Sequence, residues 1–279
     1  MSVYRLKLGD YQFQVTDEGS GPPVLMLHGF PDSARLWRHQ IPALLGAGYR
    51  VIAPDQRGFG ESDKPQAIEA YAVPEVLGDV LALLDELKLE QVSLVSHDWG
   101  AAVGWSLAAL HPERVERHAV LSVGHITSLW NAGIAQRRNA WYMLVFMRQG
   151  LAEEIITRQD WRFFRDLWCH HPEIETWIAD LSRPGALTAA LNWYRANMDL
   201  DTWTEQGWEM PRVNVPTMGI WSSGDIYLSE SQMMGSAQFM DAPWRYERIE
   251  GATHWLMLDR PAAVNDLLLD FFGDATAPA

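Results

Sequence analysis

The chain has 279 residues, 48% hydrophobic and 21% charged, which fits one large core or a core with an added layer and argues against disorder. With 22 Lys and Arg against 36 Asp and Glu, the formal net charge of −14 disfavours a polyanionic partner such as nucleic acid. One cysteine, Cys169, leaves no internal disulfide; with no signal-peptide pattern in Met1–Asp10 and no bilayer-length apolar run, a soluble, cytoplasmic protein without membrane contact is expected.

Tyr4–Leu8 and Tyr11–Val15, separated by Gly9-Asp10, read as a hairpin. Pro22-Pro23 introduces Val24–Leu27, an apolar run of the kind buried on both faces of a parallel sheet. Ser33–Ala47 has helical spacing and stops at Gly48; Tyr49–Pro54 is the next strand, and the Gly-rich, charged stretch 55–65 is a loop. Val73, Val76, Leu77, Val80, Leu84 and Leu87 recur at three and four residues, which predicts an amphipathic helix. Val92–Val95 reads as a strand, Gly100–Leu110 as a helix and Arg117–Val123 as a strand. This alternation predicts parallel βαβ units with right-handed crossovers.

The rhythm breaks near Thr127. From there to about Pro211 the chain is helix-like and aromatic-rich, and several of the 14 Trp fall in it. It resumes with Pro216–Trp221 (strand), Ser229–Phe239 (helix), Arg245–Ile249 (strand) and Pro261–Phe272 (helix), before a tail, 273–279, expected to fray. The expected architecture is an α/β protein: an eight-stranded, mostly parallel sheet flanked by helices, built from 1–126 and 212–279, with 127–211 inserted as a helical cap.

Chemistry concentrates at the ends of the expected strands. Ser96-His97-Asp98-Trp99-Gly100 has the strand–tight turn–helix context of a nucleophile elbow, with Ser96 and Gly100 as small flanks and Asp98 where a serine often stands. The plainer reading makes Asp98 a helix N-cap. Three further features favour the elbow. His28-Gly29-Phe30-Pro31 follows a buried strand, where an oxyanion-hole N–H is supplied in such folds, so Phe30 and Trp99 are the candidate donors. Asp225 follows one late strand and His254 the last one. Nucleophile, acid and histidine thus come in the chain order of α/β-hydrolases.

A carboxylate nucleophile changes the reaction. Attack on an acyl group would give an anhydride, whereas attack on saturated carbon gives a stable alkyl ester. Histidine is then needed for the second step, activating water against that ester. The leaving group separates the options. An epoxide oxygen needs an acidic donor such as tyrosine; a halide needs only weak N–H donors. Tyr142 and Tyr194, both in the aromatic insertion, are candidate donors, although cap packing is the plainer role for each.

At this point the residues resemble the epoxide hydrolases of the α/β-hydrolase fold over nearly the whole chain. The similarity rests on His28-Gly29-Phe30-Pro31, Asp55-Gln56-Arg57-Gly58-Phe59-Gly60-Glu61-Ser62-Asp63, His97-Asp98-Trp99-Gly100, the Tyr142 segment through Gly150-Leu151-Ala152-Glu153, and Asn192-Trp193-Tyr194-Arg195. The resemblance implies Asp98 as nucleophile and Asp225 with His254 as the water-activating pair. It implies Tyr142 and Tyr194 as the pair that polarises the epoxide oxygen, Phe30 and Trp99 at the oxyanion hole, a small apolar epoxide as substrate, and no cofactor. A homodimer is left open. Ser96 stands where that family usually has Gly, and Met147-Arg148-Gln149 replaces its usual Gln-x-Pro.

Two competing readings remain. Haloalkane dehalogenases share Asp-Trp at the elbow but usually carry Asn where Phe30 stands. A non-catalytic binder with an aromatic cap would keep the fold without needing Asp98, Asp225 and His254 together. Of the other residues, His170-His171 on a helix would point apart and find no third ligand, so no metal is expected. Cys169 is expected to be a packed cap residue, and His97 and His125 to lie near the site as hydrogen-bonded structure.

Overall fold

The computed structural model describes residues 2–204 and 209–273. Eight strands form one sheet in the order β1-β2-β4-β3-β5-β6-β7-β8: β1 (Ser2–Leu8), β2 (Tyr11–Glu18), β3 (Pro23–Leu27), β4 (Arg50–Pro54), β5 (Val92–His97), β6 (Val115–Leu121), β7 (Thr217–Ser222) and β8 (Trp244–Ile249). The β1–β2 and β2–β4 pairs are antiparallel and all others parallel. Every residue of β5 and β7 is buried, as expected of central strands covered on both faces. The order reverses around β3, whose neighbours are β4 and β5, so their carboxyl ends flank the crevice where open α/β sheets bind ligands.

The sheet is flanked by α1 (Gln40–Gly46), α2 (Val73–Glu86) and α3 (Trp99–Leu110). Pro74 sits in the first turn of α2, where its missing N–H costs nothing, and Val76, Leu77, Val80, Leu83 and Leu84 form the buried stripe. The segment 33–47, expected as one helix, is two pieces: a 3₁₀ turn Ala34–Trp37, then α1. Pro42 explains the break. It has no N–H to give the carbonyl four residues back, and its ring would collide with that carbonyl.

Between β6 and β7 the described residues hold helices and no named strand: α4 (Ile126–Asn131), α5 (Gly133–Asn139), α6 (Met143–Phe146), α7 (Leu151–Leu167), α8 (Ile174–Leu181), α9 (Ala186–Asn197) and α10 (Leu200–Thr204). This insertion is fastened to the core by polar contacts, two of them buried. The Trp193 indole donates to the Arg57 carbonyl at 3.0 Å, and Asn197 Oδ1 accepts the Val73 N–H at 2.8 Å. Arg35 and Arg38, just after β3, both pair with Glu173. The chain closes with α11 (Glu230–Gly235), α12 (Leu256–Asp259) and α13 (Pro261–Gly273). The expected fraying of the tail concerns residues that, from 274 on, lie outside the described ones.

Two expectations for the insertion are corrected. Cys169 is exposed rather than packed, and His170-His171 are not on a helix. Beyond the end of α7, Cys169 and His170 both take positive φ (50° and 51°), reversing the chain. That turn leaves Cys169 and His170 exposed, while His171 folds inward and stacks on Trp177 at 4.8 Å.

Candidate active site

Asp98 lies between β5 and α3 with φ 52° and ψ −125°, a backbone conformation that L-residues rarely adopt and that functional turns over-determine. The turn leaves no room around it. A Cβ on Gly100 would lie 2.3 Å from the Leu27 carbonyl oxygen, and one on Gly29 would lie 2.3 Å from Asp98 Oδ1. Ser96 fits the tight turn because its hydroxyl hydrogen-bonds His118 Nε2 at 2.6 Å, opposite Gly104, which has no side chain to collide with it.

Asp98 occupies the N-cap position of α3 yet makes no side-chain capping bond. Its Oδ1 instead accepts the Phe30 N–H at 2.6 Å, and the Trp99 N–H also bonds the carboxylate. Phe30, after β3, and Trp99, at the start of α3, thus both present backbone N–H groups to the Asp98 carboxylate. Burial pushes the Asp98 carboxyl up, but the bond and charge of His254 and the Trp99 N–H outweigh it. The group is held below the usual carboxylate range and is ionised at neutral pH.

His254 Nε2 faces the other oxygen, Asp98 Oδ2, at 3.6 Å, while its Nδ1 is 2.8 Å from Asp225 Oδ2. Asp225 is itself locked, its Oδ1 accepting the N–H groups of Tyr227 and Leu228 at 2.9 Å each. Burial works against an imidazolium here, but two carboxylates flank the ring, and together they push His254 up to about 10. The His254 carbonyl is fastened too, by the Ser122 hydroxyl and by His97 Nε2, both at 3.0 Å. His97 packs ring to ring on His254 at 4.5 Å, and burial pushes it down to about 3, so it stays neutral beside His254 and Asp98. His125 lies apart, stacked on Phe239 at 4.7 Å with its Nε2 on the Pro211 carbonyl.

Tyr142 stands at the start of α6 and Tyr194 within α9; both are buried. Their rings lie 6.4 Å apart, and the Trp99 ring meets the Tyr194 ring edge to face at 5.1 Å. Burial, together with the nearby Asp98 charge, raises both phenols well above their ordinary value, so they remain proton donors at any working pH. A partly open cavity brings Asp98, Trp99, Tyr142 and His254 onto one surface. Its remaining walls are mostly apolar, among them Ile126, Leu129, Trp130, Met143 and Trp203.

Asp32 escaped the reading of the chain. It follows Pro31 directly and is a buried carboxylate whose Oδ1 accepts the Trp177 indole at 2.9 Å and whose Oδ2 accepts the Trp255 indole at 3.0 Å. It therefore ties α8 of the insertion to the residue after His254. Burial raises it to about 7 despite the two indole donors. The signal was an acid beside the His-Gly motif and a Trp beside the late histidine, but nothing local pairs residues so far apart in sequence.

The chain matches the α/β-hydrolase fold family model over residues 22–261. It is 33% identical to epoxide hydrolase A of Mycobacterium tuberculosis, across 91% of this chain and 91% of that one. Among solved structures, epoxide hydrolase A from Mycobacterium thermoresistibile superposes with a TM-score of 0.80 at 32% identity, covering 97% of each chain. Epoxide hydrolase VrEH1 from Vigna radiata gives 0.84 at 28% identity, covering 98% of each.

Proposed function

Since the chain belongs to the α/β-hydrolase fold family and, within it, to the epoxide hydrolases, we propose that it adds water to an epoxide through an ester on Asp98 and releases a vicinal diol. The observation that carries this reading is the buried pair of neutral phenols, Tyr142 and Tyr194, beside the cavity that also holds an ionised, uncapped carboxylate. The 127–211 segment, in this reading, is a cap that brings the phenols to the core's nucleophile.

Asp98 Oδ1 sits in the two-donor hole and becomes the ester carbonyl; Oδ2 attacks a ring carbon. The carbon–oxygen bond of the epoxide breaks, and the alkoxide takes a proton from the phenol pair. Alkylation removes the Asp98 charge, so His254 keeps only Asp225 as a counter-charge and its affinity for a proton falls. The proton that it then gives up balances the one the phenols supplied. Neutral His254 next takes a proton from water, whose oxygen adds to Cγ of Asp98. The Phe30 and Trp99 N–H groups hold the resulting oxyanion. Collapse breaks the bond to the diol oxygen, His254 returns the proton to it, and the new Asp98 carboxyl ionises against His254.

Halide release is less well served. The Trp99 ring packs edge to face on Tyr194 at 5.1 Å, and Phe30 offers no side-chain donor beside it. Turnover of aryl and alkyl epoxides beside short bromoalkanes tests the reading. Diol without bromide is expected; bromide without diol would make Asp98 the nucleophile of a dehalogenase and the tyrosines packing residues.

A further inference from the structure

Building on the epoxide reading, we propose that Asp32 is a positioning residue for hydrolysis of the ester, holding in register the two groups this step requires, the His254 ring and the Phe30 N–H. Asp32 is buried and does not line the cavity that holds Asp98, so its influence passes through its neighbours. Its backbone N–H donates to the Gly29 carbonyl at 2.9 Å, closing the turn that carries Phe30, whose own N–H reaches Asp98 Oδ1 at 2.6 Å. Its side chain serves the histidine. Oδ2 accepts the indole N–H of Trp255, the residue after His254, at 3.0 Å.

The Trp255 ring stands edge to face on the His254 ring, with 5.2 Å between centroids and 89° between planes. Tyr227 meets the same imidazole edge to face at 5.8 Å. Hydrogen bonds fix His254 at its Nδ1, by Asp225, and at its carbonyl, by Ser122 and His97. A ring held by one of its nitrogens can still rock about that bond, and the contacts with Trp255 and Tyr227 limit the rocking. The Trp255 indole is set in turn by Asp32 and by Trp177, whose ring lies 4.4 Å away and whose N–H binds Asp32 Oδ1 at 2.9 Å. One carboxylate thus orders two buried indoles. A buried N–H is costly to leave unpaired, so without its acceptor the Trp255 indole turns towards another partner and His254 loses its support.

The two chemical steps depend on this support unequally. Alkylation asks for no base, because Asp98 attacks already ionised. Hydrolysis asks for His254 Nε2 to take a proton from a water at Asp98 Cγ and for the Phe30 N–H to meet the oxyanion. A catalytic group displaced by about an ångström costs on the order of 10²-fold, so loss of Asp32 falls on the second step.

The test is a single turnover of Asp32→Asn with an aryl epoxide that the wild-type enzyme accepts, quenched rapidly and read by intact mass. Asparagine is nearly isosteric; its oxygen can accept one indole, but its NH₂ confronts the other N–H. The adduct on Asp98 should form within about threefold of the wild-type rate and decay at least about tenfold more slowly, so that it accumulates. A purely structural role would lower the melting temperature and leave both rate constants of the folded enzyme as they are. Trp255→Phe keeps a ring and removes the N–H, so it should slow the same step, and it decides the matter alone if Asp32→Asn does not fold. The double variant should be no slower than the slower single one, since both changes act through one bond. Decay of the adduct at the wild-type rate in either folded variant, equal slowing of both steps, or penalties that multiply in the double variant would overturn this inference and leave the epoxide reading intact. Absence of any adduct in folded His254→Gln would overturn both.

Discussion

Asp225→Asn separates the two chemical steps. In the native site Asp225 Oδ2 lies 2.8 Å from His254 Nδ1 and Oδ1 accepts two backbone N–H groups. Asparagine can keep the second set, so the loop should hold its shape, but its NH₂ then faces Nδ1. A donor there obliges Nδ1 to act as acceptor and moves the ring proton to Nε2, the nitrogen facing Asp98 at 3.6 Å. That nitrogen can no longer take a proton from water. The same exchange in a serine-protease triad costs roughly 10⁴-fold, or about 5 kcal/mol of barrier. Here the loss should fall on hydrolysis alone, because alkylation uses a carboxylate that needs no base. Rapid-quench experiments read by intact mass should show a burst of alkylated enzyme approaching one per active site, formed within about tenfold of the wild-type rate and decaying roughly 10⁴-fold more slowly. A variant that turns over slowly without accumulating adduct would refute the assignment of His254 and Asp225 to the second step.

Three other outcomes follow from the same geometry. Tyr142→Phe and Tyr194→Phe should each slow alkylation by roughly 10²-fold or more, the scale of general-acid catalysis, and together nearly stop it; full activity in the double variant would remove the tyrosines from the chemistry. Gly29→Ala sets a methyl 2.3 Å from Asp98 Oδ1, so the carboxylate must leave the Phe30 N–H, and kcat should fall by about 10²-fold or more; an active, folded variant would deny the hole its role. His254 is raised from 6.5 to about 10 on folding, so its contribution to stability is full below pH 6.5 and lost as pH rises through 10. The excess in melting temperature of the wild type over His254→Gln should accordingly shrink across that window, and a constant difference would mean that His254 is not charged in the resting enzyme.

The sheet was legible because its strands carry their own evidence: β3 and the middles of β5 and β7 are mostly apolar, and the helix between Val73 and Glu86 has a clean stripe. The elbow could be read from Ser96, Asp98 and Gly100, since the turn itself demands small flanks around a central side chain. What stayed hidden depends on contacts between distant segments. No local pattern says that Asp32 will meet Trp177 and Trp255, separated from it by 145 and 223 residues. Cys169 was misjudged for a related reason, because a left-handed pair of residues after α7 sets which way its side chain points. Likewise, the aromatic richness of the insertion was plain, but not that Phe146 and Trp168 would pack directly on the Tyr142 ring.

The most direct test of the central claim is a single turnover in water enriched in heavy oxygen, with enzyme in excess over epoxide. The account predicts that the diol from this first turnover carries no label and that the peptide containing Asp98 gains one heavy oxygen, because water attacks Cγ of the ester. Label in the diol, with none in Asp98, would mean that water opens the ring directly and that Asp98 is not the nucleophile.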